Sequence, residues 1–326
     1  MAAEVGLSTA SVSLVVRGVA GPSEATRRRV LEAAERLGYR PDRAASLLAA
    51  RRSRLIGVLL DVRSTFHAEL VGDLHAIVER HGYDLVLSTI TRTRSEQRAV
   101  ETLLDSRCEA LVLLGPEAPA SELAALDRQL PVVAVGRRLS GSGVDVVRVA
   151  DDEGVASAVE HLVALGHRDI AYLNGGTGTI PALRRRGYER AMGRAGLGSS
   201  VRLVPGGYDE DAGMRAARSL LTSSAGELPT AVVAFNDRSA VGLLDVFART
   251  GVDVPGQVSV VGYDDDLVAR LAHVGLTTVG QDSGQLTEHA IAALVERLDG
   301  GRTEHREVVL PPYLVVRRTT APPRPS

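Results

Sequence analysis

The sequence predicts an α/β protein with two doubly wound parallel-sheet lobes, preceded by a small all-helical head. From residue 54 to about 280, short apolar runs such as 55–62 (LIGVLLDV), 110–115 (ALVLLG) and 258–264 (VSVVGYD) alternate with amphipathic stretches. Continuous apolar strands of this kind are typical of parallel sheets that are buried on both faces. About 270 residues of such units exceed one comfortable sheet, so we expect two similar lobes with a ligand cleft between them.

The head, residues 1–41, is predicted to contain short helices and tight turns but no strand. Ser8 is the expected N-cap of a helix over residues 9–16, and Ser23 is the expected N-cap of a second helix. The apolar stripe of the second helix and the glycine that ends it are Val30, Ala34, Leu37 and Gly38. Helices joined by a short Gly-containing turn form a helix-turn-helix pattern.

The charge of the head differs from that of the rest of the chain. Residues 1–55 carry ten arginines and five acidic residues, although the net charge of the whole chain is −2. A basic head on an acidic body suggests that only the head meets a polyanion. The helix-turn-helix pattern makes double-stranded DNA the natural partner.

Residues 42–53 (DRAASLLAARRS) are predicted to form a hinge helix after Pro41. The segment is rich in helix formers, but isolated helices shorter than about 12 to 15 residues are marginal in water. We therefore expect it to fold only where another surface supports it. A leucine in such a helix can wedge into the minor groove while arginines contact phosphates. The alternative is a plain linker.

The two lobes are expected to share the remainder of the chain, with the first boundary near Asp151. After Leu276 the pattern changes to a helix over 284–298 and then to a strand-like segment, which could return the chain through both lobes. The predicted lobes are 54–151 plus about 279–309, and 152–278 plus about 310–326.

Several classes of protein and site are not expected from this sequence. No run of about 18 apolar residues and no export signal is present, so we expect a cytoplasmic protein without a membrane span. The single cysteine, Cys108, leaves no intramolecular disulfide and no cysteine-rich metal site, and neither a metal nor a cofactor is predicted. The glycine-rich segment 175–179 lacks the lysine of a P-loop, and no catalytic motif was found, so no enzyme is predicted.

The order of motifs resembles that of the LacI/GalR (lactose/galactose repressor) family of bacterial transcription regulators. The matching segments include 5–18 (VGLSTASVSLVVRG), 22–53 (PSEATRRRVLEAAERLGYRPDRAASLLAARRS), 184–192 (RRRGYERAM), 234–244 (AFNDRSAVGLL) and 254–265 (VPGQVSVVGYDD). The resemblance extends over essentially the whole chain. It implies a homodimer that reads a palindromic operator, a hinge helix in the minor groove, and a core similar to periplasmic sugar-binding proteins.

The resemblance also implies which residues contact DNA. It directs Thr9, Ala10 and Leu14 toward base edges, and it makes Leu48 the wedge of the hinge helix. The resemblance also places Ser8, Ser11 and Ser13 near phosphates. The predicted DNA-binding set further contains Arg17 and Arg43.

This chain departs from the family pattern in two ways. Leu14 stands where members usually carry Arg, which removes a guanine contact worth roughly 1 to 3 kcal/mol of discrimination. Members also commonly carry several residues before the first helix. Either that helix is shortened here or the true start lies upstream, and we expect weakened DNA binding.

Within the lobes, the resemblance implies an effector site that combines one guanidinium group with an amide and several carboxylates. Arg184, Asn236 and Asp264 match the polar effector-binding positions of the family. The other residues that it places in the cleft are Phe66, His67, Arg137, Asp151 and Gln281. Donors and acceptors of this kind can satisfy several hydroxyl groups of a sugar or nucleoside. Because the chain has only three Phe and no Trp, we expect a sugar held mainly by hydrogen bonds.

The sequence therefore predicts a sequence-specific transcriptional regulator, expected to be a repressor, which a small polar effector switches. Whether the effector releases the operator or tightens its binding stays open. The main alternative is a sugar-binding protein of the periplasmic type without DNA-binding function. A nucleotide-dependent enzyme on the same α/β core is a second, weaker alternative.

Overall fold

The structure is a computed structural model of the chain. It describes residues 2–16, 21–37, 52–139, 141, 143–222 and 228–324. The chain divides into two compact units between Ser53 and Arg54, and each unit is described here by itself. The predicted hinge helix, 42–53, lies outside the described residues except at its last two positions.

The first unit contains two described helices that pack on a small apolar core. Helix α1 spans Thr9–Val16, and helix α2 spans Glu24–Arg36. Both predicted N-caps are present: Ser8 Oγ accepts from the Ser11 amide at 3.1 Å, and Ser23 Oγ accepts from the Thr26 amide at 3.3 Å. The buried residues of this core are Val5, Val12, Val15, Val30 and Ala33.

The predicted apolar stripe of α2 was wrong at two positions. Ala33 is buried instead of Ala34, and Leu37 is 49% exposed. The reason is that α2 ends at Arg36, so Leu37 is its C-cap and no longer follows the buried face. Gly38, the predicted end of the helix, lies outside the described residues.

The turn before α1 has the geometry of a helix C-terminus. Gly6 has a φ of +62°, which favours glycine, and the Leu7 amide donates to the Ala2 carbonyl at 3.1 Å. This bond and the left-handed glycine are those of a Schellman motif. The Arg29 guanidinium donates to the Val5 carbonyl and so ties this turn to α2.

The second unit contains two six-stranded sheets. The strands of the first sheet are β1 (Leu55–Asp61), β2 (Asp84–Ile90), β3 (Ala110–Leu114), β4 (Val132–Val135), β5 (Asp145–Val149) and β11 (Glu307–Leu310). Their order is β11-β5-β4-β3-β1-β2, and all pairs are parallel. The helices of this lobe are α3 (Thr65–Arg80), α4 (Glu96–Asp105), α5 (Ala120–Asp127) and α11 (Ser283–Leu298). Helices α3 and α11 cover one face, and α4 and α5 cover the other.

The second sheet has the same plan. Its strands are β6 (Ile170–Leu173), β7 (Arg202–Val204), β8 (Ala231–Val233), β9 (Ser259–Asp264), β10 (Thr277–Gly280) and β12 (Tyr313–Val315), in the order β12-β10-β9-β8-β6-β7. Its helices are α6 (Asp151–Ala164), α7 (Thr179–Arg194), α8 (Glu210–Thr222), α9 (Asp237–Thr250) and the short α10 (Leu267–Arg270), with a 3-10 turn at Gly198–Ser200. Helices α6 and α7 cover one face, and α8 and α9 cover the other.

The last strand, β12, is antiparallel to β10, whereas the sequence predicted parallel sheets. The reason lies in the connection. Strand β11 ends at the carboxyl edge of the first sheet, and only residues 311–312 separate it from β12. The chain therefore enters the second sheet at its carboxyl edge and must run against the other strands.

The described chain passes between the lobes at three places, residues 150, 281–282 and 311–312. Each crossing follows the carboxyl end of a strand, so the carboxyl edges of both sheets face the same cleft. Helix α11 returns to the first lobe, where Leu286 and Ile291 pack in its core.

A buried ion network holds this returning segment to the first sheet. Arg302 donates to the two oxygens of Asp145 at 3.0 and 3.1 Å, and Arg297 donates to those of Asp127 at 2.5 and 2.8 Å. Asp145 is 1% exposed. Charges this deeply buried need partners, because each has lost its hydration.

We expect Asp145→Ala to lower the free energy of unfolding by about 3 to 5 kcal/mol, because it removes the buried carboxylate that accepts from Arg302 and leaves this guanidinium only the exposed Glu296 as an acidic partner. Urea unfolding measures the change. The matched control is Glu101→Ala, which breaks an exposed ion pair with Arg98 at 3.0 Å and should cost less than about 1 kcal/mol. Equal losses for the two variants would contradict the role of the buried network.

Candidate functional site

A cavity of about 370 Å³ lies between the two lobes of the second unit. Residues at or just after the strand ends line it, including Asp61 at the end of β1, Gly115 after β3 and Asp264 at the end of β9. In open α/β sheets, ligands bind outside the carboxyl ends of the strands. The cleft is therefore the candidate ligand site.

The structure brings seven of the eight predicted effector residues to this cavity. They are Phe66, His67, Asp151, Arg184, Asn236, Asp264 and Gln281. The expectation for Arg137 requires correction. Its Nη1 donates to the carbonyls of Pro116 and Ala118 at 2.8 and 2.6 Å, so the guanidinium supports a loop while the preceding Gly136 lines the cavity.

Arg184 is the most constrained polar group of the cleft. Its Nε donates to Asp151 at 2.7 Å, its Nη1 donates to the Phe235 carbonyl at 2.7 Å, and its Nη2 lies 3.5 Å from Asp264. The guanidinium carbon is 3.5 Å from the centre of the Tyr263 ring. Three acceptors and an aromatic face fix one orientation of the planar group, a task for which Arg suits better than Lys.

Asp264 combines strain with burial. Its φ is 112°, a conformation that side-chain-bearing residues rarely adopt. Its Oδ1 accepts from Gln281 at 2.8 Å and faces Arg184. Burial raises the pKa of Asp264 to about 7, although the neighbouring Arg184 opposes the shift. This carboxyl group therefore gains or loses a proton near neutral pH.

His67 is held as a neutral hydrogen-bond donor. The Asp61 amide donates to its Nδ1 at 3.1 Å, so the ring proton belongs on Nε2. Burial lowers the pKa of His67 to about 4. The imidazole can thus donate one hydrogen bond without bringing a positive charge.

Asn236 has a structural task that no sequence pattern predicted. Its Oδ1 accepts from the Ser239 amide at 3.0 Å, and Ser239 Oγ accepts from the Asn236 amide, which completes a capping box at α9. The Asn236 Nδ2 donates to the Tyr208 carbonyl at 2.9 Å. The side chain faces the cavity with one amide hydrogen left for a ligand.

Contacts between the lobes also involve residues that were not predicted. Thr65 Oγ1 donates to Asp266 Oδ2 at 2.7 Å, and Arg238 donates to the Arg63 carbonyl. The Arg63 guanidinium lies 5.1 Å from the centre of the Tyr208 ring. Arg63 and Thr65 could have been found by one signal, since both follow the end of the first predicted strand.

In the first unit, the N-terminal end of α1 presents the predicted DNA-contacting surface. Ser8, Thr9 and Ala10 are exposed, and Ser11 and Leu14 are half-buried. Ser13 belongs to the same helix. The remaining predicted residues, Arg17, Arg43 and Leu48, lie outside the described residues. An exposed helix end with hydroxyl and methyl groups can contact phosphates and base edges.

Two features are absent from the described residues. No helix there combines the length and apolar character that a membrane span requires. No cluster of three or more His, Cys, Asp or Glu side chains in that part of the chain could hold a metal ion. Cys108 is buried, and burial raises the pKa of its thiol to about 11.

Two family models match the chain. The model for bacterial regulatory proteins of the lacI family matches residues 1–42, and the model for the periplasmic binding protein-like domain matches residues 159–320. The chain is also 32% identical over 323 residues to the HTH-type transcriptional regulator GalR of Escherichia coli (strain K12). That match covers 98% of this chain and 94% of the relative.

Solved structures show the same likeness. A LacI transcriptional regulator from a Rhodococcus species is 42% identical with a TM-score of 0.78, covering 82% of this chain and 98% of its own. The Lac repressor dimer bound to operator and the anti-inducer ONPF is 28% identical with a TM-score of 0.85, covering 98% of this chain and 97% of its own.

Asp264→Asn is expected to make the protein progressively more stable than the wild type as pH rises from about 4 to about 7. Folding raises the pKa of Asp264 from 3.8 to about 7, so the native state keeps a proton that the unfolded chain releases. The stability from this bound proton is full below the unfolded pKa and is lost as pH rises through the folded pKa. Urea midpoints of both proteins across this range measure the effect.

His67→Gln should change the profile in the opposite sense. Because burial lowers the pKa of His67 from 6.5 to about 4, the wild type loses stability as pH falls through this interval. The variant does not. Profiles of both variants that run parallel to that of the wild type would show that neither group titrates in this way.

Proposed function

The chain belongs to the lacI family of bacterial regulatory proteins, and from that premise we propose that this transcriptional regulator represses its target as a homodimer on a palindromic operator. A small polar effector, in chemical class a sugar or a related polyol, binds in the cleft between the lobes and switches operator binding. The observation that carries the proposal is the fixed guanidinium of Arg184 in the cleft between the lobes.

The head supports the DNA-binding part of the proposal. The exposed N-terminal end of α1 offers Thr9 and Ala10 to base edges, while the capping hydroxyl of Ser8 lies beside backbone amides that suit a phosphate. Residues 42–53 are the proposed hinge helix, with Leu48 as its wedge. The Lac repressor structure to which the chain is similar carries an operator.

The side chains that line the cleft support a polyol as the effector. A volume of about 370 Å³ falls within the usual range for small-molecule sites. Arg184 and the amides of Asn236 and Gln281 are donors, and Asp264 is an acceptor at the same edge. Phe66 and Phe235 add apolar faces. Several directed polar groups beside a few apolar ones match the alternating hydroxyl groups and C–H faces of a sugar.

The proposed switch in operator binding depends on the position of the effector between the two lobes. An effector that contacts His67 on one lobe and Arg184 on the other favours the closed arrangement of the lobes. The lobes can move about the three crossings near residues 150, 281 and 311. Strand β1 starts at Leu55, directly after the proposed hinge helix. A shift of the first lobe would therefore be passed to a segment of a length at which isolated helices are marginal.

Fluorescence anisotropy with DNA from upstream of the gene and its neighbours tests the proposal. We expect tight binding with a steep dependence on salt concentration, because phosphate contacts release counterions. A panel of sugars and nucleosides should contain a compound that changes this affinity. Ligand binding in the cleft without specific DNA binding would overturn the proposal in favour of a pure ligand-binding protein.

Ala10→Glu is expected to weaken operator binding by about 100-fold, since a carboxylate in contact with DNA costs several kcal/mol. Ala10 is exposed, so the head should still fold. Anisotropy measures the affinity, and circular dichroism checks the fold. The control, Ala164→Glu, adds the same charge at the exposed end of α6 and should leave operator affinity unchanged. An equal loss in the two variants would contradict the assignment of α1.

Arg184→Lys should weaken binding of the effector found in the panel by about 10- to 100-fold, because a lysine cannot reproduce the three-way guanidinium contact. Its positive charge still faces Asp151, which limits the loss of stability. Operator affinity without effector should not change. Arg185→Lys on the exposed side of α7, where Arg185 pairs with Glu189, is the matched control. Full effector response in Arg184→Lys would exclude Arg184 from the site.

A further inference from the structure

The residues around the cavity carry more negative than positive groups. The lining contains five carboxylates and three guanidinium groups. The carboxylates belong to Asp61, Glu96, Glu117, Asp151 and Asp264, and the guanidinium groups belong to Arg63, Arg184 and Arg238. The imidazole of His67 adds no charge, since it is neutral above about pH 4. Asp264, with its pKa raised to about 7, is only partly ionised near neutral pH, which leaves four other carboxylates against three guanidinium groups.

Each of the three guanidinium groups already has a carboxylate partner. Arg63 donates from Nε to Asp61 Oδ1 at 2.9 Å and from Nη2 to Asp61 Oδ2 at 2.5 Å. Arg238 donates from Nε to Glu210 Oε1 at 2.8 Å, from Nη2 to Glu210 Oε2, and from Nη1 to the Arg63 carbonyl. Every nitrogen of Arg238 is therefore engaged, and its charge is compensated.

Arg184 is engaged in the same way. Its three nitrogens face Asp151, the Phe235 carbonyl and Asp264. A phosphate or carboxylate of a ligand would have to displace one of these acceptors or lie beside a carboxylate. Both carry a large cost in a buried site, because each breaks or opposes an existing charge pair.

Glu117 differs from the other carboxylates of the lining. It is exposed on the loop between β3 and α5, and its carboxylate has no partner among the described residues. Its Oε1 lies 3.8 Å from the position that a Cβ on Gly178 would occupy. Since Gly178 precedes α7 of the second lobe, Glu117 faces across the mouth of the cleft.

The loop that carries Glu117 is held from both sides. The Glu96 carboxylate accepts from the amides of Glu117 and Ala118 at 2.8 and 3.3 Å. Arg137 donates to the carbonyls of Pro116 and Ala118. Glu96 holds the amides of this loop and Arg137 holds its carbonyls, so the backbone of the loop is fixed before a ligand binds. Arg137, which does not line the cavity, is thus a positioning residue for Glu117.

From this geometry we infer that the cleft selects its effector by charge and that Glu117 is the residue that makes the selection. The effector is a polyol that is uncharged or carries an amine, while phosphorylated and carboxylated compounds are rejected. This inference rests on the proposed function, because it specifies the ligand of the same cleft. A surplus of carboxylates between low-dielectric walls concentrates cations and repels anions.

The charge of the cleft can be measured without an identified effector. Thr177 is exposed, lines the cavity and precedes Gly178, so Thr177→Cys places a thiol opposite Glu117. Its rates of reaction with a cationic reagent (aminoethyl methanethiosulfonate) and an anionic one (sulfonatoethyl methanethiosulfonate) report the local potential. Cys108 contributes little background, because it is buried and its pKa is raised to about 11.

We expect the ratio of the cationic to the anionic rate at residue 177 to exceed the ratio at a reference thiol by about 10-fold or more. The reference is Ser199→Cys, an exposed position in the 3-10 turn of the second lobe. The excess should shrink as salt is added, because salt screens exposed charges. A ratio at or below that of the reference would overturn the inference.

Two substitutions that each remove one negative charge test how much Glu117 contributes to the rate ratio. Added to Thr177→Cys, Glu117→Gln should lower the ratio by roughly threefold, because it removes the nearest unpaired charge. Glu122→Gln, which removes an exposed charge on nearby α5, should change it little. Equal effects of the two changes would overturn the role of Glu117.

The operator assay separates this inference from the proposed function. With each compound of the panel tested as the neutral sugar, the amino sugar and the sugar phosphate, we expect the phosphate to act at least about 10-fold more weakly than its parent. A phosphate that acts more strongly than its parent would overturn charge selection and leave the proposed function intact. Loss of operator binding altogether would overturn the proposed function, whereas the reagent ratios at residue 177 would stand.

Discussion

The cleft depends on one buried charge cluster, the guanidinium of Arg184 between Asp151 and Asp264. These side chains come from the second turn of α7, the start of α6 and the end of β9. Each has lost most of its hydration, so each depends on the others for compensation. The Phe235 carbonyl after β8 accepts the remaining donor. Four elements of the second lobe are thereby fixed at the edge where a ligand must dock, before the ligand arrives.

The residues of this arrangement were predicted from the sequence through its resemblance to the LacI/GalR family, and the ends of the strands give the physical reason why they meet. The apolar runs placed the sheets, and in a parallel sheet the residues that follow the strands share one edge. Asp264, Asn236 and Gln281 each follow an apolar run, and the structure brings all three to the cavity. The caps of α1 and α2 were equally local, because Ser8 and Ser23 stand directly before their helices.

The remaining features of the site depend on side-chain directions, hydrogen-bond partners and strand directions, which no local sequence pattern encodes. Arg137 follows a strand as Asp264 does, but its long side chain turns to two carbonyls of a neighbouring loop. Asn236 reaches the cavity, yet its oxygen caps α9. The reversed direction of β12 follows from a two-residue crossing, which apolar periodicity does not report. The contact of Arg238 with the Arg63 carbonyl joins two lobes whose relative placement is a tertiary property.

The first unit and the cleft of the second unit differ in the sign of their charge. Residues 1–55 have a surplus of positive charge, whereas the remaining residues have a surplus of negative charge. The cleft carries part of that negative surplus. Its three guanidinium groups each face a carboxylate, whereas among the described residues Glu96 and Glu117 have no guanidinium partner. On the proposed charge selection, a phosphate group is attracted by the basic head and repelled by the cleft, whether it belongs to DNA or to a metabolite. DNA phosphates and an effector without negative charge are then drawn to different parts of the chain.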